Sequence, residues 1–434
     1  MNAPSPLAMA AQKTPAKDRR LDVLKMRLDS LHFDTVGRDL AHISKAVQKR
    51  PLVLFFGRPT FSDNSKYLFL AALEAARDYE VLWMTGTPGL ARELTDHGLP
   101  CMNFLQSPIE SVRLMLQATV AVFCENMNAA FGGNNLFVGA LAGAEKIQLW
   151  HGISVKQLDL MLIPHLDANN MGFRNAVKLA TRTDVFLSTS SRLDAFWAES
   201  FGSARMVRAG QPRNAVLLRD PTPHEMIGAA LPPAQRAVLD DASVKKLIVV
   251  PTWQRGDPLF ISTAPFFDRI VKWAERHNAA VFVKQHPWGI GGALPKDVPG
   301  RLYFLEAGVD VYPWMSRFDA LITDYSSIMF DFLLTGKPVF TFDARTETDY
   351  GFEPDWSLVP NTPFRYTFDA QSMESVLDAN FAAHPLCASQ QQLCNELYET
   401  DPRSASSTLL RLIDHCNSSA LTRDVQVIDP RTLS

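Results

Sequence analysis

Cysteine is scarce and unpatterned in this chain. The five residues Cys101, Cys124, Cys387, Cys394 and Cys416 are odd in number and widely scattered. None has a partner at metal-ligand spacing, which argues against a disulfide framework or a zinc site and for reduced thiols. Long apolar runs are absent, so no bilayer-spanning helix is expected, and the N-terminus lacks the apolar core of a signal peptide. A cytoplasmic location is the expectation. Neither sign of charge dominates: 43 Lys and Arg face 46 Asp and Glu, for a formal net charge of -3. That balance makes no case for nucleic acid as a partner. Asp-x-Asp pairs are also missing, so no metal site and no obligatory cofactor are expected, although a divalent cation could assist.

What is present is an ordinary globular composition, 47% apolar and 21% charged, spread over 434 residues. That length is too great for one ordinary core, so two domains are expected. Residues 1–50 read as a tail followed by an amphipathic helix. Lys13, Lys17, Arg19 and Arg20 form a basic cluster, and "LDVLKMRLDSLHF" at 21–33 sets Leu21, Leu24, Leu28 and Leu31 on one stripe. Such a helix either packs on the first domain or forms a basic foot for an anionic membrane surface.

From Pro51 onward, strand-like runs alternate with helical ones. "LVLFF" (52–56), "VLWMT" (81–85), "VAVFC" (120–124), "IQLW" (147–150) and "VFLST" (185–189) belong to a first Rossmann-like domain over 51–215. Proline and charge interrupt the rhythm, giving a linker over 216–244. "LIVVPT" (247–252), "AVFVK" (280–284), "LYFLE" (302–306), "ALIT" (320–323) and "PVFTF" (338–342) belong to a second such domain over 245–385, and helices with a polar tail fill 386–434. The expected class is α/β, with two parallel sheets facing across a cleft. Ligands of open α/β sheets bind beyond the carboxyl ends of the strands, so the loops there hold the candidate residues.

In "LITDYSSIMFDFLL", Ser326 and Ser327 fall where a strand hands over to a helix. Helix-start N–H groups suit an anion and serine hydroxyls add donors, so a phosphate site is expected there unless the serines merely cap the helix. Asp331, one turn later, would accept hydrogen bonds from ligand hydroxyls. Lys284 and His286 in "VFVKQHPWG" alternate to one face at another strand end and would meet phosphate. Thr252 and Arg255 in "PTWQRGD" join them. In the first domain, His151 precedes Gly152 after a strand, a fair place for a general base. Asp63, Asn64 and Lys66 could contact an acceptor, with Arg213 near the domain junction.

Together these stretches resemble the CDP-glycerol glycerophosphotransferase family of teichoic-acid and capsule synthesis. The likeness rests on His151-Gly152 with Lys156, on Gly210, Pro212, Arg213 and Asn214, on Pro251-Thr252-Trp253, on Lys284, His286 and Pro287, and on Asp324-Tyr325-Ser326-Ser327 with Asp331. "SDNSKYLF" at 62–69 also looks like an early motif of that family. The resemblance implies a GT-B fold and transfer of a polyol phosphate, glycerol phosphate first, from a CDP-polyol to a hydroxyl of a lipid-linked or glycan acceptor with release of CMP. It implies His151 as base, His286 acting at the diphosphate, and a peripheral site of work on the inner membrane surface. Ile153, Gln211, Ala215 and the displaced Arg255 depart from the family's pattern and bear on which polyol and acceptor are used. A GT-B glycosyltransferase using a nucleotide sugar and a non-catalytic nucleotide-binding protein are the alternative readings.

Overall fold

The computed structural model describes residues 36–131, 136–156, 158, 160–161, 181–203, 205–252, 259–284, 300–343 and 355–421. The basic foot at 21–33, Arg255 and His286 lie outside the described residues. The chain divides into two compact units. One comprises the described residues within 13–151, 157–213 and 398–434; the other comprises those within 152–156 and 214–397.

The first unit is built on strands β1 (Leu52–Phe56), β2 (Glu80–Thr85), β3 (Cys101–Asn103), β4 (Val120–Phe123), β5 (Glu145–Gln148), β6 (Val185–Ser188) and β7 (Arg205–Arg208). They form one sheet in the order β3-β2-β1-β4-β5-β6-β7, and every pair is parallel. A parallel sheet is covered on both faces, so its central strands are apolar at every position rather than alternating. In β1 and β4 all residues are buried. The strand order reverses between β1 and β4, which makes the carboxyl ends of these two strands the place for a ligand.

The second unit repeats this plan with β8 (Lys245–Val250), β9 (Ala279–Lys284), β10 (Leu302–Leu305), β11 (Ala320–Thr323), β12 (Val339–Phe342) and β13 (Tyr366–Phe368). The order is β10-β9-β8-β11-β12-β13, again parallel throughout, with its reversal between β8 and β11. Phe266, Trp273, Val281, Ile322 and Phe340 lie in its core.

Residues 216–244, expected to be a linker, are packed structure of the second unit. A 3-10 turn at Pro212–Leu217 and a helix at Pro233–Asp240 frame them. The Ala229 carbonyl accepts from the Trp314 indole N–H at 2.7 Å, and the Gly228 carbonyl accepts from the Asp310 N–H at 2.8 Å. Proline there breaks the β/α rhythm without preventing burial. At the C-terminus, helices Met373–Asn380 and Cys387–Leu397 belong to the second unit, whereas Ala405–Leu421 belongs to the first. Thr119 donates to the Asn417 side chain at 2.7 Å to hold that last helix. The helix Arg38–Ala46 is seated on the first unit by close backbone approach. A Cβ on Gly139 would lie 2.2 Å from the Gly37 carbonyl oxygen, and one on Gly143 2.1 Å from that of Ser44, so only glycine fits either place.

Candidate active site

In the first unit, the loops after β1, β4 and β5 meet around His151. β5 ends at Gln148, two residues earlier than the apolar run implies, because the Gln148 side chain accepts from the Trp150 N–H at 2.9 Å and turns the chain out of the ladder. Trp150 then takes a left-handed φ of 53°, rare for a bulky residue. Asp63 (φ 70°) does the same. Each costs about 1–3 kcal/mol, and such strain gathers at functional sites.

Hydrogen bonds hold these bends. Asn64 donates to the Trp150 carbonyl at 2.8 Å and accepts from the Arg213 N–H at 3.2 Å. Arg213 donates to the His151 carbonyl at 2.9 Å and pairs with Asp63 at 2.7 Å. Arg213 and Asp63 are 4% and 6% exposed, and Asp63 also pairs with Arg58 at 3.0 Å. The imidazole of His151 stacks on Trp150, with centroids 4.0 Å apart. Its Nδ1 lies 3.2 Å from the Cys124 carbonyl oxygen. A carbonyl can only accept, so Nδ1 carries the proton in that bond and Nε2 is the basic nitrogen of the neutral ring.

Three of the residues expected at an acceptor therefore support His151 instead. Asp63, Asn64 and Arg213 are buried and bonded to the loop that carries it. Lys66 is fully buried, its ammonium 5.5 Å from the Phe61 ring centroid and 5.0 Å from that of Tyr67. The Lys66 ammonium is thus set among aromatic rings of the first unit.

In the second unit, the loops after β8 and β11 are joined at the reversal of strand order. The backbone N–H of Thr252 donates to Asp324 Oδ2 at 3.1 Å and the Thr252 hydroxyl donates to the same oxygen. The Lys156 ammonium lies 4.4 Å from the Tyr325 ring centroid. Burial pushes the Asp324 carboxyl above its ordinary value, and it pushes the Lys156 ammonium below its own; each charge partly offsets the shift of the other.

Ser326 and Ser327 are half-buried beside this group, immediately before the short helix Ile328–Leu333. The Ser327 side chain makes no cap hydrogen bond, so the capping alternative gains no support at that residue. Lys284 donates to the carbonyls of Glu306, at 2.8 Å, and Ala307, which ties the end of β9 to the loop after β10. Asp331 differs from expectation. It is fully buried, accepting from the Tyr312 hydroxyl at 2.6 Å and from the Asn214 amide at 3.0 Å. Each of its two oxygens accepts a hydrogen bond from the protein, and these bonds brace the serine-bearing helix.

Arg58, Glu125, Gln148 and Tyr312 are absent from the residues singled out by sequence. The rule applied to other strand ends would have flagged Glu125, which follows the "VAVFC" run. Gln148 and Tyr312 carry no such signal. Among the described residues, no group of three or more His, Cys, Asp or Glu side chains could hold a metal ion, and no helix is long and apolar enough to cross a membrane.

Two doubly wound parallel sheets with polar loops at both reversals define a GT-B-like fold. The chain belongs to the CDP-glycerol:poly(glycerophosphate) glycerophosphotransferase family, whose profile matches residues 40–353. It is similar to the teichoic acid ribitol-phosphate polymerase TarK of Staphylococcus aureus (strain NCTC 8325 / PS 47), with 26% identity over 54% of this chain and 45% of the relative. It is also similar to the teichoic acid poly(glycerol phosphate) polymerase of Bacillus subtilis (strain 168), with 24% identity over 70% of this chain and 40% of the relative. The chain thus spans less than half the length of these relatives. A solved structure of the wall teichoic acid polymerase TagF superposes with a TM-score of 0.63 over 92% of this chain and 99% of that one, at 16% identity. That likeness concerns the fold.

Proposed function

We propose that this protein transfers a polyol phosphate, glycerol phosphate first among the candidates, from a CDP-polyol to a hydroxyl of a lipid-linked or glycan acceptor in cell-surface polymer synthesis. The observation that carries the reading is His151. Its ring is oriented by the Cys124 carbonyl and its backbone by Arg213, at a strand end where an open α/β sheet takes ligands. In the proposed step, the acceptor oxygen attacks the phosphorus that bears the polyol and Nε2 of His151 takes the hydroxyl proton. The bond from that phosphorus to the bridging oxygen breaks, and CMP leaves with the electron pair. Phosphoryl transfer of this kind depends on positioning and charge stabilisation more than on covalent help.

Ser326, Ser327, Thr252 and Lys284, with Arg255 and His286, are assigned to the donor. A lipid-linked acceptor would bring the protein to the inner membrane surface, where the basic segment at 11–33 is the candidate for docking.

Calorimetric titration of CMP, CDP and CDP-glycerol tests the donor assignment. Replacing both Ser326 and Ser327 with alanine removes two hydroxyl donors and keeps the backbone N–H groups. The expected loss is about 1–3 kcal/mol for CDP and CDP-glycerol alike, the worth of hydrogen bonds to a charged group. If the double variant binds CDP as tightly as wild type, the diphosphate lies elsewhere.

A further inference from the structure

Asp63, Asn64 and Lys66, the residues expected to meet an acceptor, are buried, but the loop just before them carries a cation that is not. Arg58 lies in the segment 57–62 between β1 and the helix Asp63–Glu74. That places it at the carboxyl end of β1, where the strand order of the first unit reverses. Its side chain is 34% exposed, and its Nε lies 3.0 Å from Asp63 Oδ2. Nε is buried, whereas neither Nη group is, and neither donates to any of the described residues. The guanidinium thus sets its inner nitrogen against the protein and keeps its outer donors.

This is not an arginine on a loose surface loop. Phe61, buried in the same segment, anchors it, with its ring centroid 5.0 Å from that of Trp83 and 6.2 Å from that of Phe69. Asp63 then ties Arg58 to the site. It pairs with Arg213 at 2.7 Å, and Arg213 donates to the His151 carbonyl at 2.9 Å. One carboxylate is therefore shared by two guanidinium groups. Arg213 is engaged by both of its Nη atoms, so the charge left over is that of Arg58. Glu125 also attracts Arg58 but forms no ion pair with it, and burial pushes its carboxyl up to about 7, so it offsets that charge only in part near neutral pH. A pre-positioned guanidinium with open Nη donors fits an anion whose oxygens can take two parallel bonds, and phosphate is such an anion.

We propose that Arg58 binds a phosphodiester of the acceptor and thereby places the attacking hydroxyl at His151. The inference rests on the transferase reading above, in which the unit that holds the base receives the acceptor. Each transfer in that reading leaves a phosphodiester beside a new hydroxyl. An acceptor extended once therefore presents an anion that an uncharged glycan end lacks. Binding that anion favours repeated addition to one chain over the start of a new one. Arg58 supplies position and charge and takes no proton.

The probe is glycerophosphoglycerol, a phosphodiester between two glycerols, added to the full wild-type chain. Modification by phenylglyoxal, located by peptide mass spectrometry, should label Arg58 and spare the buried Arg213. The phosphodiester should suppress labelling of Arg58, and CDP at the same concentration should not. Calorimetry then gives the affinity. Arg58→Gln should weaken it by about 10- to 100-fold, the loss of hydrogen bonds to a charged group. Arg58→Lys keeps the charge without the fork and should lie between Arg58→Gln and wild type. Equal labelling of Arg58 with and without the phosphodiester, protection by CDP instead, or wild-type affinity in Arg58→Gln would each overturn the proposal. Labelling is read on the wild-type chain, so it decides even where Arg58→Gln fails to fold. None of these readouts needs turnover. Protection of Arg58 in a chain that uses no CDP-polyol supports the phosphodiester site and sinks only the reaction. Turnover of a CDP-polyol without that protection sinks the site alone. Where turnover is measured, Arg58→Gln should raise KM for a phosphodiester-bearing acceptor more than it lowers kcat, a split that a purely structural role would not require.

Discussion

Replacing His151 with alanine is expected to lower turnover with a CDP-polyol by about 10²–10⁴-fold, the contribution of a general base, while donor binding stays nearly unchanged. The reason for that split is local. His151 is held by loops of the seven-stranded unit, whereas Thr252, Ser326 and Ser327 belong to the six-stranded one. Losing the imidazole removes a proton acceptor for the attacking hydroxyl and takes nothing from the groups assigned to the nucleotide. Steady-state rates, with calorimetric binding of CDP-glycerol to the same variant, separate the two effects. A folded variant that turns over near the wild-type rate removes His151 from the mechanism. His151→Gln is a useful companion, because an amide can keep the bond to the Cys124 carbonyl without acting as a base.

The second large effect is expected at Asp63. Asp63→Ala strips the counter-ion from Arg213, which is 4% exposed, and from Arg58. Removing one partner of a buried pair costs about 3–5 kcal/mol, because the remaining charge loses its counter-ion away from water. A chain of two units need not unfold in a single step. The loss is therefore best read as reduced hydrogen-exchange protection of the β1 and β4 amides, with β8 and β11 as internal controls. Activity should fall as well, since Arg213 also holds the His151 carbonyl. The double variant Asp63→Ala, Arg213→Met should be less destabilised than the sum of the two single changes, because it removes both charges of the buried pair together. Additive losses would show that the pair is not the source of the stability.

The doubly wound plan was legible because buried parallel strands are written as continuous apolar runs. The segment 320–323 coincides with β11, and 52–56 with β1. β3 and β13 went unseen since each has three residues, too few to show a pattern. The site was half legible. Polar residues after strands drew attention to His151, Thr252, Ser326 and Ser327, because chain position alone sets them at the right end of a parallel sheet. The roles of Lys66 and Asp331 were not legible. Whether a charged side chain faces a ligand or the interior depends on partners that spacing does not reveal, such as Asn214 for Asp331, 117 positions away. Spacing along a helix says which residues share a face and not what that face meets. The Asp63–Arg213 pair spans 150 positions, so neither partner announces the other.

The most direct test of the central claim is a donor screen with mass analysis of both products. The full chain is incubated with a membrane or glycan acceptor and, separately, with CDP-glycerol, CDP-ribitol and a set of nucleotide sugars. The account predicts that a CDP-polyol alone is consumed, that CMP appears, and that the acceptor gains one polyol phosphate for each CMP released. Transfer of a sugar from a nucleotide sugar, with release of a nucleoside diphosphate and no CMP from any CDP-polyol, would contradict it.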